Sequence, residues 1–233
     1  LKGRRHEAVI ATKFGNAFDQ APMHRGGSRR WIMEAVENSL RRLQTDYIDL
    51  YQMHRPDPNT PIEETLRALD DLVRQGKVRY IGCSNFAAWQ VVEAQWTARH
   101  HNLTPFVSCQ DEYSLVFRGL EKDLMPAMQA YGMGLLPFFP LASGLLTGKY
   151  RRDVPSPAGT RLADTQRLAV ERWLMVRQVE TGLPVELAIH LPGVEKPLRI
   201  IRQEGLHEAQ VLPRRVVLGV LEQDLLVMLN RFL

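Results

Sequence analysis

The sequence predicts an α/β fold built on parallel strands, and three observations carry that prediction. Between His6 and Leu141, short β-rich apolar runs alternate with stretches of helical length. The runs are almost continuously apolar, as in parallel strands covered on both faces; antiparallel strands would alternate with polar residues. Helix caps and stops stand where the intervening segments should begin or end. A doubly wound sheet and a closed barrel both satisfy these observations.

The strand runs are residues 9–13, 47–54, 78–85, 106–114 and 133–141. Ser28 is placed to cap the first helix, whose apolar positions Ile32, Val36, Leu40 and Leu43 advance by four, four and three, the stripe of a helix lying on a sheet. The second helix has Thr60-Pro61-Ile62-Glu63, which reads as a capping box with proline at the first helical position. Gly76 closes it after Leu66, Leu69 and Val73. A third helix is expected over residues 87–99, and a fourth from Leu120 to a left-handed cap at Gly132. Residues 151–161, with Pro155, Pro157 and Gly159, read as a loop. Beyond lie one expected helix over residues 165–179 and short pieces broken by Pro184, Pro192, Pro197 and Pro213.

With 233 residues, 45% hydrophobic and 24% charged, the chain has the composition of an ordinary globular protein able to bury a core. No apolar run reaches the roughly 18 residues of a membrane span, and the first residues resemble neither a signal peptide nor an initiator. The expectation is a soluble, cytoplasmic chain that begins inside a longer reading frame. Cys83 and Cys109 lie within apolar runs and form no CxxC pair, which argues against a disulfide framework or a zinc site. The net charge of +4 comes from basic residues spread along amphipathic segments rather than from a block. Nothing resembles a groove-reading helix or an aromatic platform, so a nucleic-acid partner is not expected; nor is a membrane or a metal.

Polar residues that close apolar strands are informative, because parallel α/β folds bind ligands at the carboxyl ends of their strands. Lys13 closes the first run, His54 the second, Ser84 and Asn85 the third, and Gln110 and Tyr113 the fourth. Taken singly, each is most simply a solvated strand end. Their shared position at the ends of successive strands points to one rim. A lysine and a histidine converging with amides suit polarisation of a carbonyl, since a neutral imidazole N–H can hold an oxygen on which charge develops. The amides can pair with a carboxamide, and a tyrosine face can stack on a flat ring, a combination that matches a nicotinamide.

These residues stand in longer motifs. They are Ala11-Thr12-Lys13-Phe14-Gly15, residues 46–57 ending in Gln52-Met53-His54-Arg55-Pro56-Asp57, residues 76–86 ending in Gly82-Cys83-Ser84-Asn85-Phe86, Gln110-Asp111-Glu112-Tyr113-Ser114, and residues 140–150. In order and spacing they resemble the aldo-keto reductase family over roughly residues 1–165. The resemblance implies an incomplete (β/α)8 TIM barrel, five of whose βα units are readable, with NADP(H) as hydride carrier and a small aldehyde, ketone or sugar-like carbonyl as substrate. It further implies that Lys13 and His54 are catalytic, that Ser84, Asn85 and Gln110 hold the nicotinamide amide, and that Tyr113 stacks on its ring. Phe139, Pro140, Leu141, Ala142 and Ser143, with Lys149, resemble the loop that binds the cofactor pyrophosphate, and Arg161 a later cofactor-contacting arginine.

The family's proton-donating tyrosine and its partner aspartate belong on strands upstream of residue 1, and its last cofactor-gripping loop is only echoed by Leu191-Pro192-Gly193. The expectation is therefore a fragment: a partial barrel over residues 1–165, a helical or irregular tail over 166–233, and impaired carbonyl reduction. The alternative is a non-catalytic, NADP(H)-binding regulatory subunit of the same family. His54 favours the enzyme, because the resemblance implies that regulatory members lose that histidine.

Overall fold

The computed structural model describes residues 3–151, 154–164, 186–189, 198–201, 211–212 and 215–217. They fall into two compact units that divide between Ala142 and Ser143.

The first unit is a five-stranded sheet in the order β1 (Ala11–Phe14), β2 (Ile48–Met53), β3 (Val78–Ser84), β4 (Ser108–Glu112), β5 (Gly134–Phe138). Every neighbouring pair is parallel, as the apolar runs require. The crossovers are α1 (Arg29–Leu43), α2 (Ile62–Arg74), α3 (Ala88–His100) and α4 (Leu124–Ala130), each beside the next. After β5 the chain enters a 3-10 segment, Ala142–Thr147, instead of a further long helix.

The caps show where local sequence governs and where a neighbour takes over. Ser28 caps α1 as expected, its side chain accepting from Trp31 N. The apolar stripe of α1 is completed by Trp31 and Ala35, while the expected Leu43 is 40% exposed at the helix end. The capping box before α2 does not form. Thr60 gives its hydroxyl to Asp57 Oδ2 at 2.7 Å, so Pro61 becomes the cap residue and Ile62 the first helical one. Gly76 closes α2 with φ +74, and Gly132 closes α4 with φ +66. The fourth helix is shorter than expected, because residues Gly119–Glu121 form a separate 3-10 turn ahead of α4.

Register gives the sheet two chemically different faces. One row runs Phe14, Met53, Cys83, Cys109, Leu135; the first four are buried and the last packs against the same core. This face carries the helices, through Ile32, Val36, Leu66, Leu69, Val91 and Met128. The two cysteines are free, buried components of this core. Some buried polar groups on the helices are committed: Asp70 accepts from Thr104 N and Oγ1 at 2.9 and 2.7 Å and from Arg74 Nε at 2.6 Å, and Gln95 donates to Phe106 O at 2.7 Å; Gln95 Oε1 and Trp31 Nε1 are buried without a partner among the described residues.

At the opposite end from the rim, Asp49 ties three strands together. Its Oδ2 accepts from Ile10 N at 2.9 Å and Arg5 Nη2 at 2.6 Å, its Oδ1 from Arg79 Nη1 at 3.1 Å. The Arg5 and Arg79 guanidinium carbons lie 3.9 and 4.0 Å from the centre of the Tyr47 ring.

In the second unit, α5 is Arg161–Asp164 and a four-stranded mixed sheet has the order β6 (Glu186–Ile189), β7 (Leu198–Ile201), β9 (Arg215–Val217), β8 (Val211–Leu212). These strands lie in the tail expected to be helical or irregular. They are two to four residues long, too short for a periodic signal to show. The helix expected over residues 165–179 lies outside the described residues, as does Leu191-Pro192-Gly193.

The Asp49 carboxylate is only 6% exposed. Burial opposes its charge, but the Ile10 N–H and the two arginines outweigh that and hold its pKa below the ordinary value. Its stabilising contribution is therefore present above the unfolded-state pKa and lost as pH falls through the folded one. Asp49→Ala should cost about 2–3 kcal/mol, since it leaves the Ile10 amide without its acceptor and Arg5 and Arg79 without their carboxylate. Urea unfolding at pH 7 measures this. The gap between variant and wild type should narrow below about pH 4.

Candidate active site

The other face of the sheet is polar, and the strand register assembles it. Lys13 pairs with Gln52, Gln52 with Gly82, Gly82 with Ser108 and Ser108 with Gly134, one continuous row across five strands. The next row towards the carboxyl ends holds Ser84, Gln110 and Leu136, and His54 stands two residues beyond Gln52 just as Ser84 stands two beyond Gly82. Alternation along each strand thus puts Lys13, His54, Ser84 and Gln110 on one face and the apolar core on the other.

Backbone contacts fix the rim. His54 N donates to Phe14 O at 2.8 Å, and Asn85 N donates to Gln110 O at 3.2 Å. Asn85 has φ +58, a left-handed turn that asparagine tolerates. Its Nδ2 donates to His54 O and to Ser84 Oγ, both at 3.0 Å, which leaves Oδ1 as an acceptor. Tyr113 closes the fourth strand with its N–H on Phe138 O, and its hydroxyl donates to Glu121 Oε1 at 2.7 Å. That bond fixes the ring's tilt and raises the phenol pKa.

Partial burial, then the charges of Lys13 and Arg55, lower the His54 pKa. The imidazole is accordingly neutral at pH 7 and can donate a hydrogen bond without carrying charge. A cavity of about 160 Å³ beside β1 touches Lys13 and His54, but its walls are the α1 residues Trp31, Asn38 and Arg42 together with Phe14, Asn16 and Phe18, on the helix side of the sheet, and it holds no acidic residue. Ser84, Asn85, Gln110 and Tyr113 share the rim but do not line this cavity.

Two groups escaped the sequence reading. Gln52 Nε2 and Ser108 Oγ are buried without a hydrogen-bond partner, in the same row as Lys13. Stepping back two residues from His54 and from Gln110 would have found both. Gly82 lies between them, and a Cβ there would meet Ser108 Oγ at 2.7 Å and its carbonyl at 2.9 Å, so the row closes up only around glycine.

Of the remaining expected residues, Phe139, Pro140, Leu141 and Ala142 end the first unit, and Phe139 and Ala142 have φ +50 and +49. In the second unit, Ser143 continues with φ +59, and its Oγ is buried without a partner among the described residues. Gly144, at φ +94, admits Lys149: a Cβ there would lie 3.3 Å from Nζ. Arg161 opens α5. Among the described residues no cluster of three or more His, Cys, Asp or Glu could hold a metal ion, and no helix is long and apolar enough to cross a membrane.

Within the first unit, the Asn85 and Gln110 side chains offer a carboxamide both donors and acceptors, which fits the amide of a nicotinamide.

The chain belongs to the Aldo/keto reductase family, whose profile it matches over residues 1–210. That family has a (β/α)8 barrel and uses NAD(P)H; among the described residues, five of its parallel strands are present with β1 and β5 as the edges. Over 163 residues, 69% of this chain and 47% of the relative, it is 42% identical to a Schizosaccharomyces pombe protein provisionally named voltage-gated potassium channel subunit beta. An uncharacterised oxidoreductase of Bacillus subtilis is 42% identical over 180 residues, 73% of this chain and 54% of the relative. A provisionally named aryl-alcohol dehydrogenase of Schizosaccharomyces pombe is 48% identical over 122 residues, 52% and 34% of the two chains. The chain spans about half the length, or less, of these relatives.

Replacing Lys13 by methionine removes a positive charge beside His54. The His54 titration midpoint, read from its imidazole proton resonances, should move up towards that of an ordinary histidine; an unchanged midpoint would place Lys13 too far away to act on it.

Proposed function

We propose that this chain carries the carbonyl-reducing site of an NADP(H)-dependent oxidoreductase, with Lys13 and His54 at the reacting oxygen. The observation that supports the reading is the register that puts Lys13 on the polar face, with His54 two residues beyond Gln52 of the same row and the Ser84, Asn85 and Gln110 side chains at the ends of the neighbouring strands. NADPH, when bound, supplies the hydride. Ser84, Asn85 and Gln110 would orient the carboxamide, and Tyr113 offers a ring face. His54, held neutral, donates to the carbonyl oxygen as charge develops there. Lys13 adds a positive field on the same face. The similarity to an aryl-alcohol dehydrogenase supports an aromatic aldehyde as substrate.

No tyrosine occupies the two polar rows, so no phenol stands there to protonate the alkoxide. General acid catalysis contributes about 10²- to 10⁴-fold, and turnover by residues 1–233 alone should be weak by that order. A second reading, a nicotinamide-binding subunit without turnover, is favoured by the likeness to the channel subunit beta.

Both readings expect NADPH to bind, with quenching of protein fluorescence, and only the first expects turnover. Slow NADPH oxidation with a reactive aromatic aldehyde, falling at least about tenfold further in His54→Ala or Lys13→Met while the NADPH dissociation constant stays within about threefold, supports the first. Binding with no aldehyde-dependent oxidation supports the second. Failure to bind NADPH rejects both.

A further inference from the structure

The outer face of α3 is apolar where a surface helix should be polar. Val91, Ala94 and Ala98 are buried in the core, as a crossover helix requires. On the opposite side Trp89 is 66% exposed, Trp96 59% and Val92 39%. At about 100° per residue these three and His100 fall within an arc of about 80° centred on Trp96. A helix that is apolar on two faces has a second surface to cover. Exposed tryptophans point the same way, since indoles concentrate at the centres of protein interfaces. The His100 ring already stacks on Trp96, with ring centres 4.9 Å apart and planes 7° apart, so the central indole has little freedom left to lose on binding.

The charges beside the stripe say what covers it. Glu93 lies on one flank and has no hydrogen bond or ion pair among the described residues. His100 lies on the same flank, two turns further on. Arg99, on the other flank, holds its guanidinium over the Tyr131 ring at 5.7 Å and does not neutralise Glu93. Glu93 and His100 stand almost evenly before and after Trp96. In an antiparallel pair of identical helices like flanks meet with their order reversed, so a two-fold axis beside Trp96 sets Glu93 of each copy level with His100 of the other. Moving that axis one turn towards the start of the helix would bring the two Glu93 carboxylates together instead. The face is self-complementary in one register.

We propose that this face of α3 is a homodimer interface: two copies pack α3 against α3, antiparallel, with Trp96 at the two-fold axis and a Glu93–His100 pair at each end of the contact. Each indole leaves roughly 100–150 Å² outside, so the four contribute on the order of 500 Å². With Val92 and His100 the total stays near the roughly 1,000 Å² at which specific interfaces begin, which makes the dimer weak, with a dissociation constant of about 10–100 µM. The proposal does not depend on the functional reading, because the outer face of α3 carries none of the rim residues.

Sedimentation velocity of the whole chain at pH 7, from about 2 to about 200 µM, should show monomer giving way to dimer. Trp96→Glu should abolish the dimer over that range. His100→Glu, which sets carboxylates together at both ends, should weaken it about tenfold or more, and Glu93→Lys by less. The two charge variants mixed in equal amounts should recover a heterodimer of at least wild-type strength, because the introduced lysine then faces the introduced glutamate while the native pair persists at the other end. Misfolded variants could not give that recovery. Arg41→Glu, a charge reversal on α1, should leave the dissociation constant within about twofold. A chain that stays monomeric to about 200 µM overturns the proposal. So does association that survives Trp96→Glu, which would belong to another surface such as the open edges of β1 and β5. Failure of the two charge variants to recover on mixing overturns the antiparallel register, and with it the pairing proposed here.

Discussion

The polar rim depends on the register between β1, β2 and β3, and that register is held from the opposite end of the sheet by one carboxylate. Asp49 receives the Ile10 amide just before β1, Arg5 ahead of it and Arg79 from β3. A slip of one residue in a parallel pair exchanges the two faces of a strand. Lys13 would then turn into the helix layer and Phe14 out to the rim. The charge cluster is therefore worth more than its own interaction energy, because the placement of the rim residues at the ends of β1, β2 and β3 follows from it.

The two faces obey different rules. The helix side is mostly apolar and supplies the stability, although Trp31 Nε1, Tyr51 Oη and Gln95 Oε1 are buried there without partners among the described residues. The rim side keeps Gln52 Nε2 and Ser108 Oγ buried without partners, at a cost on the order of 1–3 kcal/mol each. A sheet selected for stability alone would have apolar residues in that row. Retaining polar groups there is what a ligand-facing surface requires, and the absent side chain of Gly82 lets the row close up.

Much of this was legible in the sequence, and the reasons differ by element. Strand positions could be read because parallel strands covered on both faces are long, nearly unbroken apolar runs, and the polar residue ending each run marks the rim. The cap at Ser28 was legible because its partner, Trp31 N, is local. The box at Thr60 misled because the competing partner, Asp57, lies outside the four-residue pattern and binds more strongly as a charged acceptor. Gln52 and Ser108 were hidden inside runs that look apolar as a whole, where only period-two counting exposes them. The short strands between 186 and 217 carried no signal, because two to four residues cannot show a period.

Cys83 and Cys109 face each other across β3 and β4, both fully buried, and they are the only cysteines in the sequence. Cys83 Sγ reaches the Ser108 carbonyl at 3.8 Å, and contact with Cys109 together with burial pushes the Cys83 thiol well above its ordinary pKa. A thiol so placed is both shielded and protonated, so an alkylating reagent meets neither sulfur while the central strands stay paired. Labelling with such a reagent therefore clocks the separation of β3 from β4, the middle of the sheet. The chain carries its own reporter of core opening, one that stays silent through any motion of the rim loops.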